Sequence, residues 1–90
     1  MELARIKYSG ATRTDTFLAV VLGSVDGKML VLKSQMLSHG DIVTIRKSKD
    51  ALKGADVVTV VNWCKKNIPS YKHAFRSLSS ERSEIIEKYE

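Results

Sequence analysis

The chain has 90 residues, 43% of them apolar and 28% charged, with a formal net charge of +5. That length makes one domain with one modest core, since a chain this short buries roughly 60–65% of its unfolded surface. The apolar content argues against wholesale disorder, and the longest apolar run, 17–22, is far below the ~20 residues of a membrane span.

The lone cysteine, Cys64, has no internal partner, so the fold is expected to stand on packing in a reducing compartment. The first residues lack a basic segment followed by an apolar run, so no secretory leader is expected and the reading is cytoplasmic.

In chain order, residues 3–8 alternate, with Ala4, Ile6 and Tyr8 on one side and Leu3, Arg5 and Lys7 on the other, as in a half-buried strand ended by Ser9-Gly10. Residues 11–16 are polar and turn-like. Residues 17–22 are a β-rich apolar run, and 29–32 are its expected hairpin partner across Asp26-Gly27, because both turn residues tolerate φ > 0. Residues 34–40 read as a connection with at most one turn of helix. Residues 41–46 alternate as another strand, and 47–55 read as a polar loop. Residues 57–61 are dominated by β-branched valines and are read as a strand. A helix over 56–67 is the rival, because Val57, Val60, Val61 and Cys64 also fit helical spacing. Pro69 breaks what precedes it, and Ser70 is a candidate N-cap. Tyr71, Phe75, Leu78, Arg82, Ile85 and Tyr89 then follow at helical spacing, which predicts one long or two short amphipathic helices over 70–90.

The expected fold is therefore a single α+β domain, mainly β with C-terminal α. It is a small SH3-like antiparallel barrel of about five strands over 1–62, with the segment 70–90 plugging an end or covering a face.

No catalytic constellation is visible. Cys64 sits beside Trp63 at the end of an apolar run, where a structural thiol is the common case. One cysteine and the scattered His39 and His73 supply no metal set, and the glycines are spaced as turns rather than as a phosphate loop. Neither an enzyme nor a cofactor is expected.

Charge is the better lead. Residues 1–80 carry 13 basic and 6 acidic side chains, whereas 81–90 carry 2 and 4. Between 57 and 80 there is no Asp or Glu at all. Such a field attracts polyanions, of which phosphate backbones are the commonest in a cell. Arg46, Lys47, Lys49 and Lys53 crowd one stretch, and Lys65, Lys66, Lys72 and Arg76 another. If 41–46 and 57–62 pair as a hairpin, the first set forms its tip and the second its base, along one edge. Tyr71, set among basic residues, is the best candidate to stack on a base, although a single-strand platform normally shows several exposed aromatics. The plain alternative is that these lysines are solubilising surface.

The run His39-Gly40-Asp41-Ile42-Val43-Thr44-Ile45, followed by Lys53-Gly54-Ala55-Asp56-Val57-Val58-Thr59-Val60, resembles a KOW motif. Its loop between Ile45 and Lys53-Gly54 is long, and Asp56 stands where that family usually has another glycine. The resemblance implies an SH3-like barrel that contacts RNA, DNA or a partner protein in transcription or translation.

The functional expectation is a small nucleic-acid-binding domain, making mainly phosphate contacts with low sequence specificity. The alternative is a module that docks on a larger acidic protein, using Tyr71, Phe75, Leu78, Ile85 and Tyr89 as apolar anchors. A monomer or weak dimer is expected.

Overall fold

The computed structural model describes residues 1–89. Five antiparallel strands form one sheet: β1 (Glu2–Ser9), β2 (Thr14–Val25), β3 (Lys28–Lys33), β4 (Phe75–Ser79) and β5 (Ser83–Tyr89). Their spatial order is β4-β3-β2-β1-β5. Three helices lie in the chain between β3 and β4: α1 (His39–Ser48), α2 (Val57–Asn67) and the single turn α3 (Tyr71–Ala74).

The expected hairpin at Asp26-Gly27 is present. Its two turn residues have φ of 49° and 74°, and Val25 pairs with Lys28 across them. Two consecutive positive φ values match the right-handed twist of the flanking strands. The first strand also lies where expected. The second begins at Thr14, earlier than the turn-like reading of 11–16 allowed, because Thr14, Asp15 and Thr16 pair with Ser9, Tyr8 and Lys7.

Three expectations are corrected. Residues 41–46 are not a strand but the body of α1. Residues 57–61 are not a strand but the start of α2, so the rival helical reading holds there. The hairpin between them, with 47–55 as its tip, therefore does not form. Of the expected helical segment 70–90, the described residues are α-helical only over Tyr71–Ala74; Phe75–Ser79 and Ser83–Tyr89 are the two edge strands. β4 pairs with β3, with Leu32 opposite Phe75, and β5 pairs with β1, with Ile6 opposite Ile85. The helices that cover a face are thus central in the chain, not C-terminal, and the sheet is not closed: the edge strands β4 and β5 are joined by a 3-10 turn at 80–82.

The sheet is buried on both faces. On one, Ala4, Ile6, Ala19, Met29 and Val31 pack with Phe17, Leu78 and Ile85. On the other, Val20, Leu22 and Leu32 meet Ile45 of α1, Val60 and Cys64 of α2, Ile68 and Ala74. This accounts for most of the apolar run 17–22: Phe17, Ala19 and Val21 feed the first core, and Val20 and Leu22 the second. α1 reaches the second core through Ile45 and α2 through one stripe, while Val58 on its other side is 62% exposed. Val60, Cys64 and Ile68 are four apart and at most 3% exposed.

Candidate nucleic-acid interface

The basic residues are placed by the two helix ends that bracket α2. At its start, α1 is closed by a reciprocal cap. The Asp41 backbone N–H donates to Ser38 Oγ at 3.1 Å, and the Ser38 N–H donates to Asp41 Oδ2 at 3.1 Å. Ten residues later the helix ends with Arg46 and Lys47 in its last turn, followed by Lys49. Lys53 lies in the short connection to α2, whose N-cap Asp56 accepts from the Thr59 N–H at 2.8 Å. That bond holds the Asp56 carboxyl below its ordinary pKa. Arg46, Lys47, Lys49 and Lys53 are all exposed. Arg46 and Lys49 stand at the mouth of an apolar slot lined by Met1, Leu3, Val20, Ile42, Ile45 and Tyr89. Lys49 and Lys53 border a neighbouring hollow that also contains Asp50.

At the other end of α2 the surroundings differ. Lys65 and Lys66 occupy its last turn, where cations also stabilise the helix dipole. Asn67 Nδ2 donates to the Trp63 carbonyl at 2.9 Å, and the Ile68 N–H to that of Cys64 at 2.9 Å. Pro69 stops the helix and the chain turns into α3. The turn opens a groove walled by Lys65, Lys66 and Lys72, floored by Ile68 and Pro69, with Tyr71 at its side. The Tyr71 ring stacks on Phe75 with centroids 5.0 Å apart and planes 29° from parallel. Burial, reinforced by the nearby Cys64, raises the Tyr71 hydroxyl pKa, so it remains a neutral hydrogen-bond donor.

The single basic edge expected from the sequence is thus two clusters. α2 has 11 residues, a length of about 16 Å, and it holds them apart. That exceeds the ~10 Å Debye length at 0.1 M salt, so the clusters act as separate patches. Only two ion pairs occur among the described residues, Arg13 with Asp15 and Lys88 with Glu2. None of the eight basic candidates takes part. Arg76 nevertheless stands apart, because its Nη1 donates to the His73 carbonyl at 2.8 Å and to the Phe75 carbonyl at 2.7 Å. Its guanidinium fastens the passage from α3 into β4.

Of the anchors expected for protein docking, Phe75, Leu78 and Ile85 pack against the two cores, and Tyr89 accepts from Arg5 Nε at 3.3 Å. The apolar slot was not foreseen. Its apolar walls come from Met1, Leu3, Val20, Ile42, Ile45 and Tyr89, and no local pattern joins them.

Cys64 is fully buried, and burial pushes its thiol up to about 11. No cluster of three His, Cys, Asp or Glu side chains suited to a metal ion occurs among the described residues, and no helix there is long and apolar enough to cross a membrane. Compared with protein-family models, curated proteins and solved structures, the chain matches none of them.

Proposed function

We propose that this protein binds nucleic acid through its phosphate backbone, with the groove between α2 and α3 as the principal contact. One observation carries the reading. Lys65, Lys66 and Lys72 surround a single groove that has no acidic residue in its lining, and none of the three is ion-paired among the described residues. The exposed edge of Tyr71 offers a face or a hydroxyl to a base beside those phosphates. The second cluster, Arg46, Lys47, Lys49 and Lys53, adds long-range attraction. Phosphate contacts position a ligand without reading its sequence, so low base specificity is expected. The reading assigns no catalytic step.

The fold reading that accompanies it is an SH3-like barrel with a helical insertion between β3 and β4. It is supported by the strand order and by the 3-10 turn that joins the two edge strands. A role in transcription or translation follows from this reading only as an expectation.

The test is fluorescence anisotropy with labelled duplex DNA, single-stranded DNA and single-stranded RNA over a salt series. The combined variant Lys65→Glu, Lys66→Glu, Lys72→Glu is measured alongside. Unchanged affinity of that variant at ~50 mM salt, where exposed charges are least screened, sinks the proposal.

A further inference from the structure

We infer that the slot between α1 and the adjoining ends of β1 and β5 is a docking site for a partner polypeptide, which inserts one branched aliphatic side chain and places an acidic residue beside it. The inference does not rest on the nucleic-acid reading, although it draws on Arg46 and Lys49 of the second basic cluster, and it concerns the opposite end of α2.

The slot has an apolar interior and a cationic rim. Its floor is Val20 and Ile45, 4% and 7% exposed, and Leu3 and Ile42 form its walls. Arg46 and Lys49 stand at the mouth, three residues apart and so on one side of the helix end. Both are exposed and neither is ion-paired among the described residues. Among the described residues, no acidic side chain lines the slot. Glu2 is held by Lys88 at 3.6 Å, and Asp50 borders the hollow with Lys53.

Size decides what enters. The space is about 70 Å³, roughly half of the ~150 Å³ cavity that holds a benzene ring. An aliphatic group of about three or four carbons, seated at the open mouth, is the most this space takes, and a nucleobase or an indole is too large to enter whole. Charge then selects the neighbourhood of that side chain, since the Arg46 guanidinium and Lys49 ammonium form a two-cation rim that a carboxylate matches. A free small acid is disfavoured as the natural occupant. One buried aliphatic group and two solvent-exposed ion pairs do not offset the lost translational freedom of a small molecule. The occupant is therefore part of a larger surface whose flanking contacts complete the binding.

The experiment is an NMR titration of the ¹⁵N-labelled full chain with the peptide acetyl-Gly-Ser-Leu-Asp-Glu-Gly-amide. It runs to roughly 5 mM, because so small a contact predicts millimolar affinity. Amide shifts are expected to concentrate at Leu3, Ile42, Arg46 and Lys49. Replacing the peptide leucine with asparagine, or its two acidic residues with lysine, should weaken binding at least about tenfold. The double variant Arg46→Ala, Lys49→Ala, at exposed positions that leave the core intact, should remove most of the response. The inference is overturned if the shifts fall elsewhere or do not appear. It is equally overturned if the asparagine peptide binds as well as the leucine peptide, which would mark mere polyanion attraction. Isovalerate shifting the same amides with the peptide's affinity would also overturn it, in favour of a small-acid site.

Discussion

Gly23 and Val57 meet where the start of α2 crosses β2, and the contact leaves no room for a side chain at position 23. A Cβ there would lie 2.8 Å from Val57 Cγ2 and 3.1 Å from its Cβ. Gly23 also has φ of 149°, and the ladder slips beside it: Val21 faces Val31, Gly23 faces Leu30, and Leu22 has no partner. The bulge turns Leu22 into the core beneath the helices, where it is 5% exposed. One glycine thus serves both the bulge and the close approach of α2.

Gly23→Ala is accordingly expected to destabilise the protein by about 1–3 kcal/mol, through overpacking and an unfavourable φ. Urea denaturation measures it. Adding Val57→Ala should recover part of the loss, because it removes the nearer methyl but not the backbone strain. A double-mutant cycle with no coupling would refute the contact.

The cap of α1 gives a second expectation. Ser38→Ala removes the acceptor for the Asp41 N–H and should lower stability by about 1 kcal/mol, whereas Ser38→Gly should lose only a few tenths. Equal losses for the two variants would mean that the side-chain bond contributes little.

Cys64 carries a pH dependence. Its folded pKa of about 11 lies above the ordinary 9.0, because burial disfavours the thiolate. Above pH 9 the unfolded chain therefore loses this proton before the folded one does. The stability tied to the neutral thiol is full below pH 9 and is lost progressively as pH rises to about 11. Urea midpoints over that window should fall more steeply for the wild type than for Cys64→Ala. At pH 8 the native thiol should react with a disulfide reagent only as fast as the protein opens. A fast, urea-independent reaction would place the thiol at the surface.

Salt dependence separates the groove from general basicity. Three phosphate contacts from Lys65, Lys66 and Lys72 predict a slope of log affinity against log salt of about −2.7 for duplex and −2.1 for single strands. Between 50 and 200 mM salt this is a loss of roughly 40-fold or 20-fold, respectively. The three Glu substitutions should flatten the slope. A slope unaffected by them would move the contact to another surface.

Arg76 should behave differently from the lysines. Arg76→Ala removes two charge-assisted hydrogen bonds to backbone carbonyls and is expected to lower stability by about 1–2 kcal/mol. Its effect on nucleic-acid affinity, measured where the variant is fully folded, should be less than twofold by comparison with the groove lysines. The reverse pattern would return Arg76 to the binding surface.

Several local features were legible in the residues themselves. Asp26-Gly27 specifies its hairpin through two positive φ values that few other residues tolerate. The alternation of 3–8 specifies β1, and the lone Cys64 beside Trp63 is the buried thiol its context implies. The grouping of Lys65, Lys66, Lys72 and Tyr71 was also visible, because Pro69 folds that short stretch back on itself. A further local signal went unread: Ser38-His39-Gly40-Asp41 has the spacing of a capping box, and it opens a helix where alternation had suggested a strand.

What only the tertiary structure decided is the assignment of the ambiguous segments. The valines of α2 favour a strand intrinsically, but the helical penalty is at most about 0.7 kcal/mol per residue. Burying Val60 and Cys64 on one face against the sheet outweighs it. Conversely, the helical stripe from Tyr71 to Tyr89 yields beyond Ala74, because β3 and β1 offer ladder partners 43 to 86 residues away, and their hydrogen bonds and the packing of Leu78 and Ile85 reward an extended chain. The division of the basic residues by α2, and the slot that strands β1, β2 and β5 build together with α1, follow from the same long-range choices. Charge, turn chemistry and caps act over a few residues and can be read there. Strand partners and shared cavities depend on what the rest of the chain leaves unfilled.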